Sequence, residues 1–554
     1  MLVVTYLKNR RGFLNEKVIR YSLVSTLLVS SFLVGCAKEK TATKPKDEKK
    51  VLQLLETGEI PSLNSGKVTD AVSFNVLNNV MEGLFRLSKN DEVIEAGAQK
   101  YEVSKDGKTY TFQLRDAKWS NGEPVTAHDY VYAWKQLINP DTASQYAYIA
   151  YDVKNAEKIN KKQLGLDELG VKAKDDKTFV VELEHPVPYF TKLLILPSFY
   201  PINEKYAKEQ GDKYGLEANK AVYNGPFTLS EWKHEASFTM KKNDKYWDKK
   251  EVKLDEVNYQ IVKEISTAVN LYETDKVDRA VISTEFVDKY KNNKELKQYT
   301  DPVMYFFRFN ENVPILKNKN ARLALSTVFD KKGLADSFLN DGSVAANYYV
   351  PKGFLKGPDK KDFRSTAGEF NKTDVKKAKE YWEKAKQETG TDEVTLELLN
   401  YDLENFKKVG EYIKEQLEKN LPGLKVNVKL QPHTQKLALE KKKEYEMSLS
   451  RWLPDYPDPM TYLEVFLSGS SVNNTEYANP EYDALIKKIK TELGNDEKAR
   501  WKAMQDAEKM LLDDAVIAPV FQRGLSYLQK PYVKDLYVHQ FGPATSLKWA
   551  DVQK

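Results

Sequence analysis

The chain has one cysteine in 554 residues, Cys36. No disulfide can close within it, so any fold must be held by buried apolar surface. Cys36 also ends a patterned start. Lys8, Arg10, Arg11, Lys17 and Arg20 precede Tyr21 to Val34, which is apolar or small throughout and free of charge. A charged start, a short apolar core and small residues at the cut make a secretory signal over 1–35. That core is too short to span a bilayer comfortably.

The ending Leu33-Val34-Gly35-Cys36 resembles the lipobox of bacterial lipoproteins, which implies that the Cys36 thiol receives a diacylglycerol and becomes the new N-terminus. The plainer reading of a lone cysteine is a small buried hydrophobe. Ala37 to Lys50 carries six lysines, three acids and no large apolar residue. Such a stretch cannot bury enough surface to offset its chain entropy, and residues 36–50 read as a flexible tether.

Without residues 1–35, 519 remain. That is too many for one core, so two or three domains are expected. The formal charge of +5 falls near +1 once the signal, with five cations and Glu16, is removed. Balanced charges at 30% of residues describe a soluble surface. They lack the net basic field of a nucleic-acid binder. With Cys36 acylated, no thiolate nucleophile or cysteine metal site is left.

Along the body, Ser73 reads as the cap of a helix carrying Phe74, Leu77, Val80, Met81, Leu84 and Phe85. Tyr101 to Leu114 alternates around Asp106-Gly107, a hairpin signal. Thr126 caps a helix with Val131, Trp134, Leu137 and Ile138. Lys177 to Leu183 reads as a strand, closed by His185-Pro-Val-Pro188. Phe227 to Trp232, Ser237 to Lys241 and Lys253 to Val262 follow as strands. The clearest unit is strand Val394 to Asn400, helix Leu403 to Lys419 stopped at Pro422-Gly423, and strand Lys425 to Leu430. This is a βαβ crossover, which implies a parallel sheet. Tyr445 to Trp452 reads as another strand, running into Leu453-Pro-Asp-Tyr-Pro-Asp-Pro459. Open α/β sheets bind ligands outside the carboxyl ends of their strands, which draws attention to that turn.

Six runs, in order, carry a family likeness: Asn78-Asn-Val-Met-Glu-Gly-Leu84; Trp119-Ser-Asn-Gly-Glu-Pro-Val-Thr126 with Tyr130-Val-Tyr-Ala-Trp134; Tyr223-Asn-Gly-Pro-Phe227; Asp455-Tyr-Pro-Asp-Pro-Met460; Ser468-Gly-Ser470; and Asn479-Pro-Glu-Tyr-Asp483. Over everything after residue 51 the chain resembles the family-5 extracellular solute-binding lipoproteins of oligopeptide ABC importers. The resemblance implies an α/β fold of the two-lobed periplasmic-binding-protein type II (cluster C), with an extra α+β domain in the N-terminal half. The expected division is 51–92, 224–307 and 523–554 in lobe I, 93–223 in the extra domain and 308–522 in lobe II. The chain is expected to cross between lobes at Val303 to Pro314 and to return at Pro519 to Gln529. The implied function is a membrane-anchored, extracytoplasmic, monomeric binding protein of a Gram-positive bacterium. It would capture oligopeptides by hinge closure and pass them to a permease and ATPase. No cofactor or metal is implied.

A peptide of arbitrary sequence offers only its backbone and charged ends as constant features. Enclosing its α-ammonium without a counter-charge is costly. In the family's peptide binders an aspartate shortly after a tryptophan meets that group, and here Trp452 and Asp455 match it. Composition alone reads Asp455 as a turn residue between prolines, and Trp452 serves equally as a pocket wall or as core. Tyr456 and Asn310 complete the candidate peptide-binding set, and Asp458 reads as the structural acid of the turn. Where some members hold the ligand's C-terminal carboxylate with an arginine, this chain has Leu449. A less strict grip on that end is the expectation. Arg451 shares Leu449's face by alternation and opposes Trp452.

Two further readings stay open. A receptor dedicated to one signalling peptide resembles a general peptide binder throughout. An exported hydrolase is the alternative of another class, but no His-Glu-x-x-His, Gly-x-Ser-x-Gly or phosphate-cradling loop occurs. His128, His185, His234, His433 and His539 are dispersed in sequence.

Overall fold

The structure, a computed structural model, describes residues 49–554 apart from Ser471. Cys36, the signal and the tether as far as residue 48 lie outside the described residues. Lys49 and Lys50, read as tether, already belong to the body: their ammonium groups lie 2.6 Å from Glu256 and 2.5 Å from Asp551.

The body opens with strand β1 (Val51–Glu56) and helix α1 (Ala71–Val80). The cap of α1 is Asp70, whose carboxylate accepts from the Ser73 amide at 2.8 Å, so Ser73 is the residue held rather than the cap. The helix stops at Val80, leaving Met81, Leu84 and Phe85 of the expected stripe beyond it. β2 (Ala98–Val103) and β3 (Thr109–Leu114) form the hairpin at Asp106-Gly107, where Gly107 takes a φ of 72°. α2 (Ala127–Ile138) follows Thr126, and its Trp134, Leu137 and Ile138 are buried. β4 (Val171–Asp175) and β5 (Thr178–Glu182) complete a separate antiparallel sheet, β2-β3-β5-β4. The chain then returns through β6 (Phe227–Lys233), β7 (Ser237–Lys242) and β8 (Glu256–Ile261). β8 lies parallel to β1 across some 200 residues of sequence, giving the order β1-β8-β7-β6.

β9 (Arg279–Ile282) and the long β10 (Leu296–Phe309) lead onward. The crossover unit follows as read: β11 (Val394–Tyr401), α3 (Glu404–Asn420) and β12 (Leu424–Gln431), with Val394 opposite Leu424 in parallel. Val409, Ile413 and Leu417 of α3 are fully buried against that sheet. Gly423, with a φ of 81°, begins the return strand; a Cβ there would meet the Asp392 carbonyl at 2.3 Å. α4 (His433–Lys442), β13 (Met447–Trp452), α5 (Pro480–Thr491), α6 (Glu497–Asp513) and β14 (Ile517–Gln529) complete the elements used below. The large sheet runs β9-β14-β10-β13-β11-β12, with a two-residue strand, Val344–Ala345, also on β14.

β10 divides two cores. Val303, Tyr305, Phe307 and Phe309 face a cluster with Leu398, Val426 and Leu449. Met304 and Phe306 face another, with Tyr349 and Tyr462. Burial on both faces is what its unbroken apolar run demands. β10 and β14 pair along their length apart from two breaks in register, a small one between Tyr305 and Phe306 and a longer one between Thr300 and Met304. On the near side of that break Leu296 and Leu528 pack with Val269, Ala280 and Ile282; on the far side lies the core of the βαβ unit. The longer break in β10 lies at the start of the stretch expected for the first crossing, Val303 to Pro314, and its partners Gln522 to Gly524 lie within the stretch expected for the return, Pro519 to Gln529.

Candidate functional site

β13 ends at Trp452 and the chain turns through Leu453 to Pro459. Prolines at 454, 457 and 459 fix φ and leave few backbone donors, so the turn must be tied by other groups. Asp458 supplies the main tie: its two oxygens accept from Arg500 of α6 at 2.7 and 2.8 Å, both partners buried. This bidentate pair confirms the structural role read for Asp458. The Pro454 carbonyl accepts from Gly542 at 3.3 Å and that of Pro457 from Lys192 at 3.4 Å. The Asp455 amide donates to the Thr461 hydroxyl at 3.0 Å.

Held in this way, Asp455 points its carboxylate to Tyr146, whose hydroxyl donates to it at 3.0 Å. Tyr146 comes from the 93–223 segment, 309 residues away. Tyr146 in turn packs edge-on against Phe74 at 5.8 Å and beside Tyr148 at 5.6 Å, which makes a small aromatic cluster on one side of the acid. Asp455, Tyr146 and Tyr148 all remain part-exposed. Crowding by protein pushes the Asp455 carboxyl up to about 7, with Glu464 adding to the rise and Tyr146 opposing it. No cation partners Asp455 among the described residues. The same acid, with burial, holds the Tyr146 and Tyr148 hydroxyls well above their ordinary range.

The other expected residues fare differently. Trp452 is part-exposed, packs against the core on one side and leaves its indole Nε1 without a partner. Tyr456 is buried, stacks on Tyr189 at 5.0 Å and donates its hydroxyl to Glu464 at 2.6 Å. It holds the turn and has no face left for a ligand. Asn310 has bonds of its own. Its side-chain amide donates to the carbonyls of Lys443 and Tyr445 at 3.0 and 2.8 Å, and its oxygen accepts from Asn312 at 3.1 Å. It is buried, with both amide hydrogens spent on splinting the end of β10 to the approach to β13. Leu449 is fully buried opposite Phe307 in the second-lobe core. Arg451 lies opposite Tyr305 on that same face, and Trp452 opposite Met304, as alternation required.

Sequence reasoning missed Tyr146, Tyr148, Thr461 and Arg500. The run Gln145-Tyr-Ala-Tyr-Ile-Ala-Tyr151 was the one available signal, being unusually rich in tyrosine for a connecting segment. Among the described residues no group of three or more histidines, cysteines or acids is placed to hold a metal ion. No helix among them is long and apolar enough to cross a membrane.

Comparison with known proteins agrees with this architecture. The sequence pattern of the bacterial extracellular solute-binding proteins, family 5 Middle, matches residues 92–474. The dipeptide-binding protein DppE of Bacillus subtilis is 38% identical over 534 residues, covering 94% of this chain and 97% of that protein. The crystal structure of an oligopeptide ABC transporter substrate-binding domain from Bacillus anthracis superposes with a TM-score of 0.86 at 51% identity, covering 92% of this chain and 99% of that one. Listeria monocytogenes OppA bound to peptide gives 0.85 at 40% identity, over 92% and 100% of the two chains. Two structures of the murein tripeptide binding protein MppA, each 26% identical, separate the lobe arrangements. One, from Escherichia coli, gives 0.81 over 92% of this chain and 99% of that one, whereas the unliganded open form gives 0.67 over 91% and 98%. The lobes here are thus set unlike the open form. With the profile match and these identities over nearly the whole chain, the protein belongs to the family-5 bacterial extracellular solute-binding proteins.

Proposed function

We propose that this protein captures oligopeptides between its lobes and delivers them to an ABC importer, with Asp455 receiving the peptide's α-ammonium group. The observation that carries the reading is a part-exposed carboxylate, tied by its turn and by Tyr146, that has no cation partner among the described residues. A protein gains nothing by keeping such a charge unpaired unless a partner arrives from outside. An ammonium group supplies the missing charge and hydrogen-bond donors, and Phe74, Tyr146, Tyr148 and Trp452 offer aromatic surface for the first residues of the ligand. The peptide-bound OppA and the dipeptide-binding DppE support the ligand class. In this reading a lipid on Cys36 anchors the body at the outer face of the membrane, and the importer's permease takes the load there. Nothing in the site favours catalysis: no nucleophile and base face each other across the chamber.

The test is calorimetric titration of the emptied protein with a short peptide and with its N-acetylated form. Binding of the free amine with clear loss on acetylation supports the reading. Equal binding of both forms removes Asp455 from this role, and failure of every peptide to bind removes the function.

A further inference from the structure

Asn78 and Asn79, which open the first of the family-like runs, are used to hold the C-terminal part of the chain. β15 (Tyr537–Val538) and β16 (Thr545–Ser546) form a short antiparallel hairpin with Tyr537 opposite Ser546. Asn78 and Asn79 of α1 donate their side-chain amides to the Thr545 carbonyl at 3.0 and 2.9 Å, and the Asn79 oxygen accepts from the Leu547 amide at 2.8 Å. Across the base, His539 joins Asp91 through Nδ1 at 2.6 Å and the Ser546 hydroxyl through Nε2 at 2.7 Å. Asp91, His539 and Ser546 thus stand in the order of a hydrolytic triad. Ser546 is only 1% exposed, and its hydroxyl also accepts from Asn78 at 3.3 Å. No substrate reaches it, so the three residues act as a pin.

The tip of the hairpin is held differently. His539 closes the loop by donating its amide to the Ala544 carbonyl at 2.7 Å, and the residues between meet other parts of the chain. The Gly542 amide donates to the Pro454 carbonyl at 3.3 Å, one residue before Asp455. Gly542 has a φ of 64°, and a Cβ there would come within 3.1 Å of Ile195 and 3.6 Å of the Asp455 carbonyl. Phe541 is buried and meets the Phe354 ring edge-on at 6.2 Å; Phe354 meets Tyr462 in the same way at 5.8 Å.

An element pinned firmly at its base and lightly at its tip stays with one body while letting go of another. α1, Asp91 and the hairpin fall in the stretches expected for one lobe; Phe354 and Pro454 fall in the stretch expected for the other. We propose that the hairpin tip, Phe541 and Gly542, is a latch between the lobes. It grips Phe354 and the backbone of the Asp455 turn in the arrangement seen here and lets go when the lobes part. It therefore sets how slowly bound peptide leaves and how far the empty protein stands open. This rests on the reading that peptide is enclosed between the lobes.

The experiment follows release of tetra-alanine carrying a dansyl group at its C-terminus, chased with unlabelled tetra-alanine, from the wild type, Phe541→Leu, Phe354→Leu and the double variant. Leucine keeps apolar bulk in place of each ring, and urea midpoints check the fold. Each single variant is expected to release peptide faster by about threefold or more, the size of one aromatic contact. The double variant should be no faster than the quicker single one, because both changes remove the same contact. Unchanged release in both single variants overturns the inference. So do factors that multiply in the double variant, which would mean that the two rings act separately, and so does faster release that tracks a fall in the urea midpoint, which would mark lost packing alone. Should Phe541→Leu fail to fold, Phe354→Leu decides, since Phe354 is only partly buried. Failure of the underlying reading looks different, because the wild type then binds no peptide. Small-angle scattering of the empty proteins decides in that case: a larger radius of gyration in Phe354→Leu than in the wild type upholds the latch, and an equal one overturns it.

Discussion

Lys490 of α5 reaches Asp152 of the 93–223 segment at 3.4 Å while standing 3.2 Å from Glu464, the acid that accepts from Tyr456. His185 adds a contact to Asp152 at 3.3 Å, and Tyr189 stacks on Tyr456 beside it. One cation therefore joins the extra domain to the helices that follow the Asp455 turn. Burial alone would raise Asp152, but Lys490 and His185 hold it well below the usual carboxylate range. Lys490→Met leaves two crowded acids without their shared partner. The expected loss of unfolding free energy is about 3–5 kcal/mol, measured by urea denaturation at pH 7. Adding Asp152→Asn should recover part of it, because the stranded charge is then gone.

Asp455 and the ligand amine should behave as one interaction. N-acetylation of the peptide and Asp455→Asn each remove one half of a desolvated pair, and each should weaken binding by about 2–5 kcal/mol. Applied together they should cost much less than their sum. Isothermal titration of the four combinations gives the coupling directly, and simple additivity would show that the two groups do not meet.

The same carboxyl predicts a pH profile. It stands near 7 in the empty protein and must be ionised to hold an ammonium group. Affinity should fall about tenfold per unit below that value, and should fall again above pH 8 as the peptide amine deprotonates. Stability of the empty protein runs the other way. A carboxyl whose folded value is raised contributes stability that is fully present below about 4 and is lost as pH rises through about 7. Asp455→Asn should therefore stabilise the empty protein at pH 8, by about 2–4 kcal/mol given about 1.4 kcal/mol per unit, and scarcely at pH 4. Thermal melts of both proteins at the two pH values test the sign as well as the size.

What the sequence disclosed and what it withheld follow one physical division. Val394 to Leu430 was readable because β11, α3 and β12 each carry their own period, and their partners lie within forty residues. The turn that carries Asp455 stands out by its place after a strand end, but the role of Asp455 itself rests on the family resemblance, since composition alone reads it as a turn residue. Its chamber was not readable, since Tyr146 meets it across 309 residues and a tyrosine in a connecting segment carries no period. Asn310 shows the opposite failure. A polar residue after an apolar strand suggests a ligand contact, yet its amide is spent on the backbone at Lys443 and Tyr445. Side-chain amides in that setting satisfy stray carbonyls, and the pattern in sequence is the same for both uses.

Cys36 offers a test outside the folded body. If its thiol carries the lipid, Cys36→Ala should release the protein from the membrane fraction, as an uncleaved or secreted form, while peptide affinity stays within twofold of the wild type. Labelling with a radioactive fatty acid should mark the wild type and not the variant. Full retention of the alanine variant through the same acyl anchor would defeat the assignment.

Closure about the two crossings is the last expectation. β10 breaks register between Thr300 and Met304, opposite the step from Gln522 to Gly524, so both strands change lobes at one level. Two adjacent crossings make a hinge, because rotation there asks only a few dihedrals to change. The arrangement seen here is unlike the open MppA form, and Lys490, Tyr189 and the Tyr146–Asp455 hydrogen bond all span the parts that must separate on opening. The crowding that raises Asp455 belongs to the arrangement seen here, so the empty protein has a reason to relax away from it at neutral pH. A bound ammonium group removes that reason, which is the differential binding a ligand needs in order to shift the equilibrium. Small-angle X-ray scattering should therefore show a smaller radius of gyration on adding peptide, with unchanged helix content by circular dichroism. Lys490→Met should enlarge the radius of the empty protein and narrow that of the peptide-bound form less completely. Identical scattering with and without saturating peptide, from protein shown beforehand to be empty, would mean that the lobes do not report the ligand by moving.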